Sequence, residues 1–79
     1  MGGLTERERA ILRLEKQWWR FEGAKHRAIR EQTHLSPTRY YQVLNGLLDN
    51  PEALREEPVV IRRLQLQRQS RRADVSRTR

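Results

Sequence analysis

Two stretches with the apolar spacing of a helix meet at the corner His34-Leu35-Ser36-Pro37, and that corner leaves the chain few ways to fold. Before it, Ala24 to Thr33 turns Ala28 and Ile29 inward, and small Ala28 lets the next helix approach closely. After it, Tyr40, Val43, Leu44 and Leu47 recur on one face of a helix running from Pro37 to about Leu48. Ser36 is suited to cap that helix, and Pro37 takes its first position, where the missing N–H is no loss. His34 closes the earlier helix and is expected in left-handed backbone. Glycine adopts that geometry most readily, and histidine more readily than most other residues. Leu35 then points back into the core.

The flanking segments read as further helices. Thr5 and Glu8 have capping-box spacing, and Glu6 and Glu8 suit the positive end of a helix dipole. Ile11, Leu14, Trp18 and Phe21 then follow one face, widened by Leu12 and Trp19, so the spacing predicts a first helix over 6–21 that stops near Gly23. Neighbours on a helix diverge by about 100°, so one tryptophan is assigned to the core, Trp18, and Trp19 to its margin. Asn50-Pro51 opens a short helix to about Glu56. Glu57-Pro58 repeats the device, and Val60, Ile61 and Leu64 carry a last amphipathic stretch to about Gln69, closing the core against the first helix. Beyond Ser70, RRADVSRTR has no apolar period and reads as disordered. The expected fold is therefore all-α: a compact bundle of four to five short helices over residues 1–69, with a disordered basic tail over 70–79. A chain of 79 residues makes one domain. It buries little more than half of its unfolded surface, so a second subunit would add useful burial.

Charge and composition narrow the partner. The net charge is +7 and the pI near 11.2, which suits a polyanion. Met1 to Glu57 carries ten Lys and Arg against nine Asp and Glu, whereas Pro58 to Arg79 carries seven Arg against one Asp. The body is near neutral and the excess sits at the C-terminal end. Within the body, Lys16 to Gln42 holds six bases and two acids, while Val43 to Glu57 holds one base and four acids, which predicts a basic and an acidic face. There is no cysteine, which removes disulfides and thiolate metal sites and suits a reducing cytoplasm. The first residues lack the apolar run of a signal peptide, Glu6 breaks the myristoylation pattern, and no stretch is long enough to span a membrane.

Two helices joined by such a corner form a helix-turn-helix signature, and the outward residues of the second member are then the candidate readers. Thr38, Arg39, Tyr41, Gln42 and Asn45 face out and are assigned to DNA bases. Arginine takes guanine in a bidentate pair, and glutamine or asparagine takes adenine. Thr38 and Tyr41 can also reach phosphates or thymine methyls. Lys25, Arg27 and Arg30, beside His26, are assigned to phosphates, together with Ser36 and the arginines Arg68, Arg71, Arg72, Arg77 and Arg79. The plainer reading of each set is a solvated polar face, and Glu22 and Glu31 are available to pair with the bases of the second helix.

With those residues placed, LTERERAILRLE, the next helix and the LS corner resemble the DNA-binding modules of sigma-factor region 4 and of response-regulator output domains. Over nearly the whole chain, the segments WW, GAK, AIR, LSPTRYYQVLN and NPEAL resemble a family of short, uncharacterised actinobacterial proteins. That resemblance implies a small helical cytoplasmic protein of an actinobacterium or one of its phages and supplies no activity. At Thr33-His34 the family more often has an aromatic residue and glycine.

The leading functional expectation is a DNA-binding regulator or nucleoid-associated factor. The helix from Pro37 would enter the major groove of double-stranded DNA, and the basic tail would lie on phosphates. A homodimer would pair two half-sites, using the outer side of the first or the last helix. The alternative is an adaptor that binds RNA polymerase or a sigma factor, favoured by the near-neutral body, the acidic run from Asp49 to Glu57 and the paired tryptophans. RNA comes third, because outward aromatics are too few for a stacking platform. No enzyme, cofactor or metal site is expected. There is no glycine-rich phosphate loop, and neither His26 nor His34 has a nearby Asp at ligand spacing.

Overall fold

In the computed structural model, which describes residues 3–77 with side chains as far as Ser70, Thr5 starts the first helix as the sequence requires. Its hydroxyl accepts from the Glu8 amide at 3.1 Å, and the Glu8 carboxylate accepts from the Thr5 amide at 2.8 Å. Helix α1 spans Glu6–Lys16, α2 Glu22–Thr33, α3 Pro37–Leu47, α4 Pro51–Glu56 and α5 Pro58–Arg77. All regular structure among the described residues is helical.

The first helix is shorter than its apolar spacing predicts. It stops at Lys16 instead of Phe21 because its last carbonyls find partners outside the helix ladder. The Trp19 indole N–H donates to the Leu14 carbonyl at 2.9 Å, and the Arg63 guanidinium donates to the Glu15 carbonyl at 2.7 Å. Helix ends leave such carbonyls unsatisfied, so these two bonds fix the break. The tryptophan assignments therefore exchange. Trp19 packs against the core, while Trp18 is 83% exposed. Phe21, placed inward from sequence, is 63% exposed beneath the Arg20 guanidinium. Gly23 lies inside the first turn of α2 and terminates nothing.

The corner keeps the predicted chemistry. His34 has φ 60° and ψ 22°, the left-handed region, and its amide donates to the Arg30 carbonyl at 3.0 Å. Ser36 Oγ accepts from the Arg39 amide at 3.2 Å, with Pro37 opening α3. Thr33 is the part that the sequence reading missed. It is buried, donates its hydroxyl to the Ile29 carbonyl at 2.6 Å, and accepts from the Leu35 amide at 3.3 Å. His34→Gly is expected to raise stability by about 0.5 kcal/mol. Relief of left-handed backbone is worth roughly 1–2 kcal/mol, and the extra chain entropy of glycine returns about 0.5–1 kcal/mol of it. Thermal melts of the two proteins check this, and a lower melting temperature for the glycine variant would contradict it.

The core gathers Ile11, Leu12 and Leu14 of α1, Ile29 of α2, Tyr40, Leu44 and Leu47 of α3, Ala53 of α4 and Ile61 of α5. Each fully buried aliphatic side chain contributes about 1.5–3 kcal/mol. Helix α5 does close against α1, through Arg63, and Gln65 donates to the Leu48 carbonyl at 2.8 Å. Much of the acidic run is used in holding this assembly: Arg9 meets Glu56 and Lys16 meets Glu57, each at 3.3 Å. Helix α5 also continues past Gln69 to Arg77, where the sequence reading places a disordered tail from Ser70. No glycine or proline interrupts 59–77, and Arg, Gln and Ala are good helix formers. Positions 78 and 79 of that tail lie outside the described residues.

Candidate functional site

The periodicity that buries Tyr40, Leu44 and Leu47 turns the opposite side of α3 to solvent. Thr38, Arg39, Tyr41, Gln42 and Asn45 are all exposed, and α3 contains no acidic residue. They do not form one uniform strip. Thr38, Arg39 and Gln42 lie open, with the Arg39 guanidinium donating to Gln42 Oε1 at 3.2 Å. Tyr41 and Asn45 sit at the lip of a groove of about 450 Å³ between α3 and α5, with Lys25, Leu44, Leu64 and Arg68 in its walls. Arg68 reaches across this groove. Its guanidinium donates to Asn45 Oδ1 at 3.1 Å and pairs with Asp49 at 3.0 Å.

The candidate phosphate ligands divide as well. Arg27 and Arg30 are exposed on α2 and have no ion pair among the described residues. Ser36 is the helix cap. Lys25 does not face solvent as the sequence reading has it. Its ammonium lies 2.9 Å from Glu15 Oε2, with side chains only 17% and 6% exposed, because the charge is needed to balance a carboxylate inside the bundle. Arg68 is engaged as described above. The side chains of Arg71, Arg72 and Arg77, and the whole of Arg79, lie outside the described region.

Beneath this surface is a polar cluster that sequence reasoning did not identify. Glu15 is buried, and the Tyr40 hydroxyl donates to its Oε2 at 2.5 Å. Lys25 completes the set and also lies 5.4 Å from the centre of the Tyr41 ring, which meets Tyr40 edge-on at 5.0 Å. The available signal was Glu15 itself, a carboxylate four residues after Ile11 and next to Leu14, on the face that the spacing sends inward. This cluster joins the floor of α1 to the helix that bears the candidate readers.

Burial, then the hydrogen bond to Glu15 and its negative charge, push the Tyr40 phenol well above its ordinary pKa of 10.0. The folded chain therefore keeps this proton where the unfolded chain loses it. Stability from this group is fully present below pH 10 and is expected to fall by about 1.4 kcal/mol per pH unit above it. Chemical denaturation between pH 9 and 12 checks this, with Tyr40→Phe expected to flatten the alkaline fall.

No metal-binding group of histidines and acids occurs among the described residues, and no described helix is long and apolar enough to cross a membrane. Against known proteins, a family model with the description Protein of unknown function (DUF3263) matches residues 3–76. No curated protein and no solved structure matches the chain.

Proposed function

The chain belongs to the DUF3263 family of proteins of unknown function, and we propose that this member binds double-stranded DNA through a helix-turn-helix made of α2, the His34–Ser36 corner and α3. The observation that carries this reading is the outward face of α3. It is exposed, polar and free of acids, and the preceding helix α2 carries Arg27 and Arg30, both exposed and without an ion pair among the described residues. In this arrangement α3 enters the major groove and α2 crosses the phosphates. The arginines beyond Gln69 add grip that is independent of sequence. The role is that of a transcriptional regulator or nucleoid-associated factor, with a dimer on paired half-sites formed through the outer side of α1 or α5.

Duplex binding followed by fluorescence anisotropy at several salt concentrations tests the reading. Affinity is expected to fall steeply as salt rises. Arg39→Ala is expected to weaken binding to a selected site by about 5- to 150-fold, the range for losing one bidentate base contact. Binding that ignores both salt and Arg39 would sink the proposal. One observation favours a second reading, an adaptor for RNA polymerase or a sigma factor: Trp18 is 83% and Phe21 63% exposed. Such a contact would respond to Trp18→Ala and hardly to salt.

A further inference from the structure

We infer that α3 offers the duplex a surface of hydrogen-bond donors, so that the sequence it selects presents guanine, and not adenine, in the major groove. The inference rests on the DNA-binding reading above and specifies its target.

A glutamine or asparagine reads adenine with both halves of its amide. The oxygen accepts from N6–H while the NH₂ donates to N7. Here each amide oxygen already has one of its two lone pairs taken, which weakens it as an acceptor for a base. Gln42 Oε1 accepts from Arg39 at 3.2 Å, and Asn45 Oδ1 accepts from Arg68 at 3.1 Å. A guanidinium has five N–H donors and no acceptor, so only the oxygen of an amide can face it. That settles the orientation of both side chains by chemistry: each NH₂ is turned away from its arginine.

What α3 and Arg68 of α5 present is then two amide NH₂ groups, the unused N–H groups of two guanidiniums and the Thr38 and Tyr41 hydroxyls, a face on which donors outnumber the acceptor sites left over. Guanine meets such a surface with two acceptors, N7 and O6, and thymine with one, O4. Adenine places its N6–H donor, and cytosine its N4–H donor, against more donors. An acid could accept from cytosine, but α3 has none, and the neighbouring Asp49 is held by Arg68 at 3.0 Å. The Arg39–Gln42 pair is solvent-exposed and can be exchanged, so the preference is a matter of about tenfold per position and not absolute.

The test is selection by the full-length chain from duplexes with a randomised centre, followed by anisotropy on the selected duplex and on copies with each guanine changed to adenine. Guanine-rich selected sites, and about tenfold weaker binding after each change at a contacted position, are the expected result. Arg39→Met frees the Gln42 oxygen and Arg68→Met frees that of Asn45. Each is expected to shift one position toward adenine while leaving the others on guanine. Arg39 is exposed on the helix surface, so its variant is informative even if Arg68→Met fails to fold. Selection of adenine-rich sites, or equal binding to all sequences with a steep salt response, overturns the inference while leaving DNA binding intact. No salt-dependent binding to any duplex overturns the DNA-binding reading, and the inference falls with it.

Discussion

Glu15→Ala is expected to destabilise the folded chain by about 3–5 kcal/mol, the range for removing one partner of a buried charge pair. The carboxylate accepts the Tyr40 hydroxyl at 2.5 Å and faces the Lys25 ammonium at 2.9 Å. Truncation leaves the phenol with only its longer 3.4 Å bond to the Ile11 carbonyl and a largely buried cation without its counter-charge. A domain of this size has about 4–12 kcal/mol in total, so the variant sits near the edge of folding. A melting temperature at least about 12 °C lower is the corresponding thermal result. Glu15→Gln separates the two contributions. Its amide oxygen still accepts from Tyr40 while the ion pair is lost, so a smaller fall is expected. Equal losses in both variants would mean that charge balance with Lys25 dominates. A loss below about 1 kcal/mol in Glu15→Ala would show that the cluster does not hold α1, α2 and α3 together.

The second large effect concerns the affinity for duplex DNA that the proposed function implies. A chain ending at Gln69 loses Arg71, Arg72, Arg77 and Arg79. Each phosphate neutralised contributes about 0.9 to the slope of log affinity against log salt, so four arginines contribute up to about 3.6. Raising salt from about 50 to about 200 mM should then weaken the full chain up to roughly 150-fold more than the shortened one. Base preference should survive the deletion, because the proposed readers on α3 remain. Identical salt slopes for the two chains would remove the C-terminal arginines from the interface and leave Arg27, Arg30 and Arg39 to supply the electrostatics.

The parts of the fold that sequence reading recovers are those governed by chemistry within a few residues. Thr5 with Glu8, Ser36 with Pro37 and Asn50 with Pro51 each make a helix start from neighbouring atoms, and the left-handed His34 follows from the shape of its corner. The exposed face of α3 is equally legible, since the periodicity that turns Tyr40 and Leu44 in turns Thr38, Arg39 and Gln42 out. What escapes depends on helices far along the chain. Whether Lys25 meets solvent is decided by Glu15, a helix away, and whether Asn45 has a free oxygen is decided by where α5 sets Arg68. The exchange of Trp18 and Trp19 is the same failure. No glycine, proline or capping residue marks the end at Lys16, so the apolar spacing runs on to Phe21 with nothing local to oppose it.

That unmarked end has a consequence for the order of events on the ribosome. The carbonyl of Glu15 is closed by Arg63, which is synthesised 48 residues later. At about 5–20 residues per second the interval is about 2–10 seconds. Through it, the end of α1 has only the local bond from the Trp19 indole to the Leu14 carbonyl, and its contact with α5 is still missing. Emergence of α5 is therefore the event that commits the N-terminal third of the chain to its final shape.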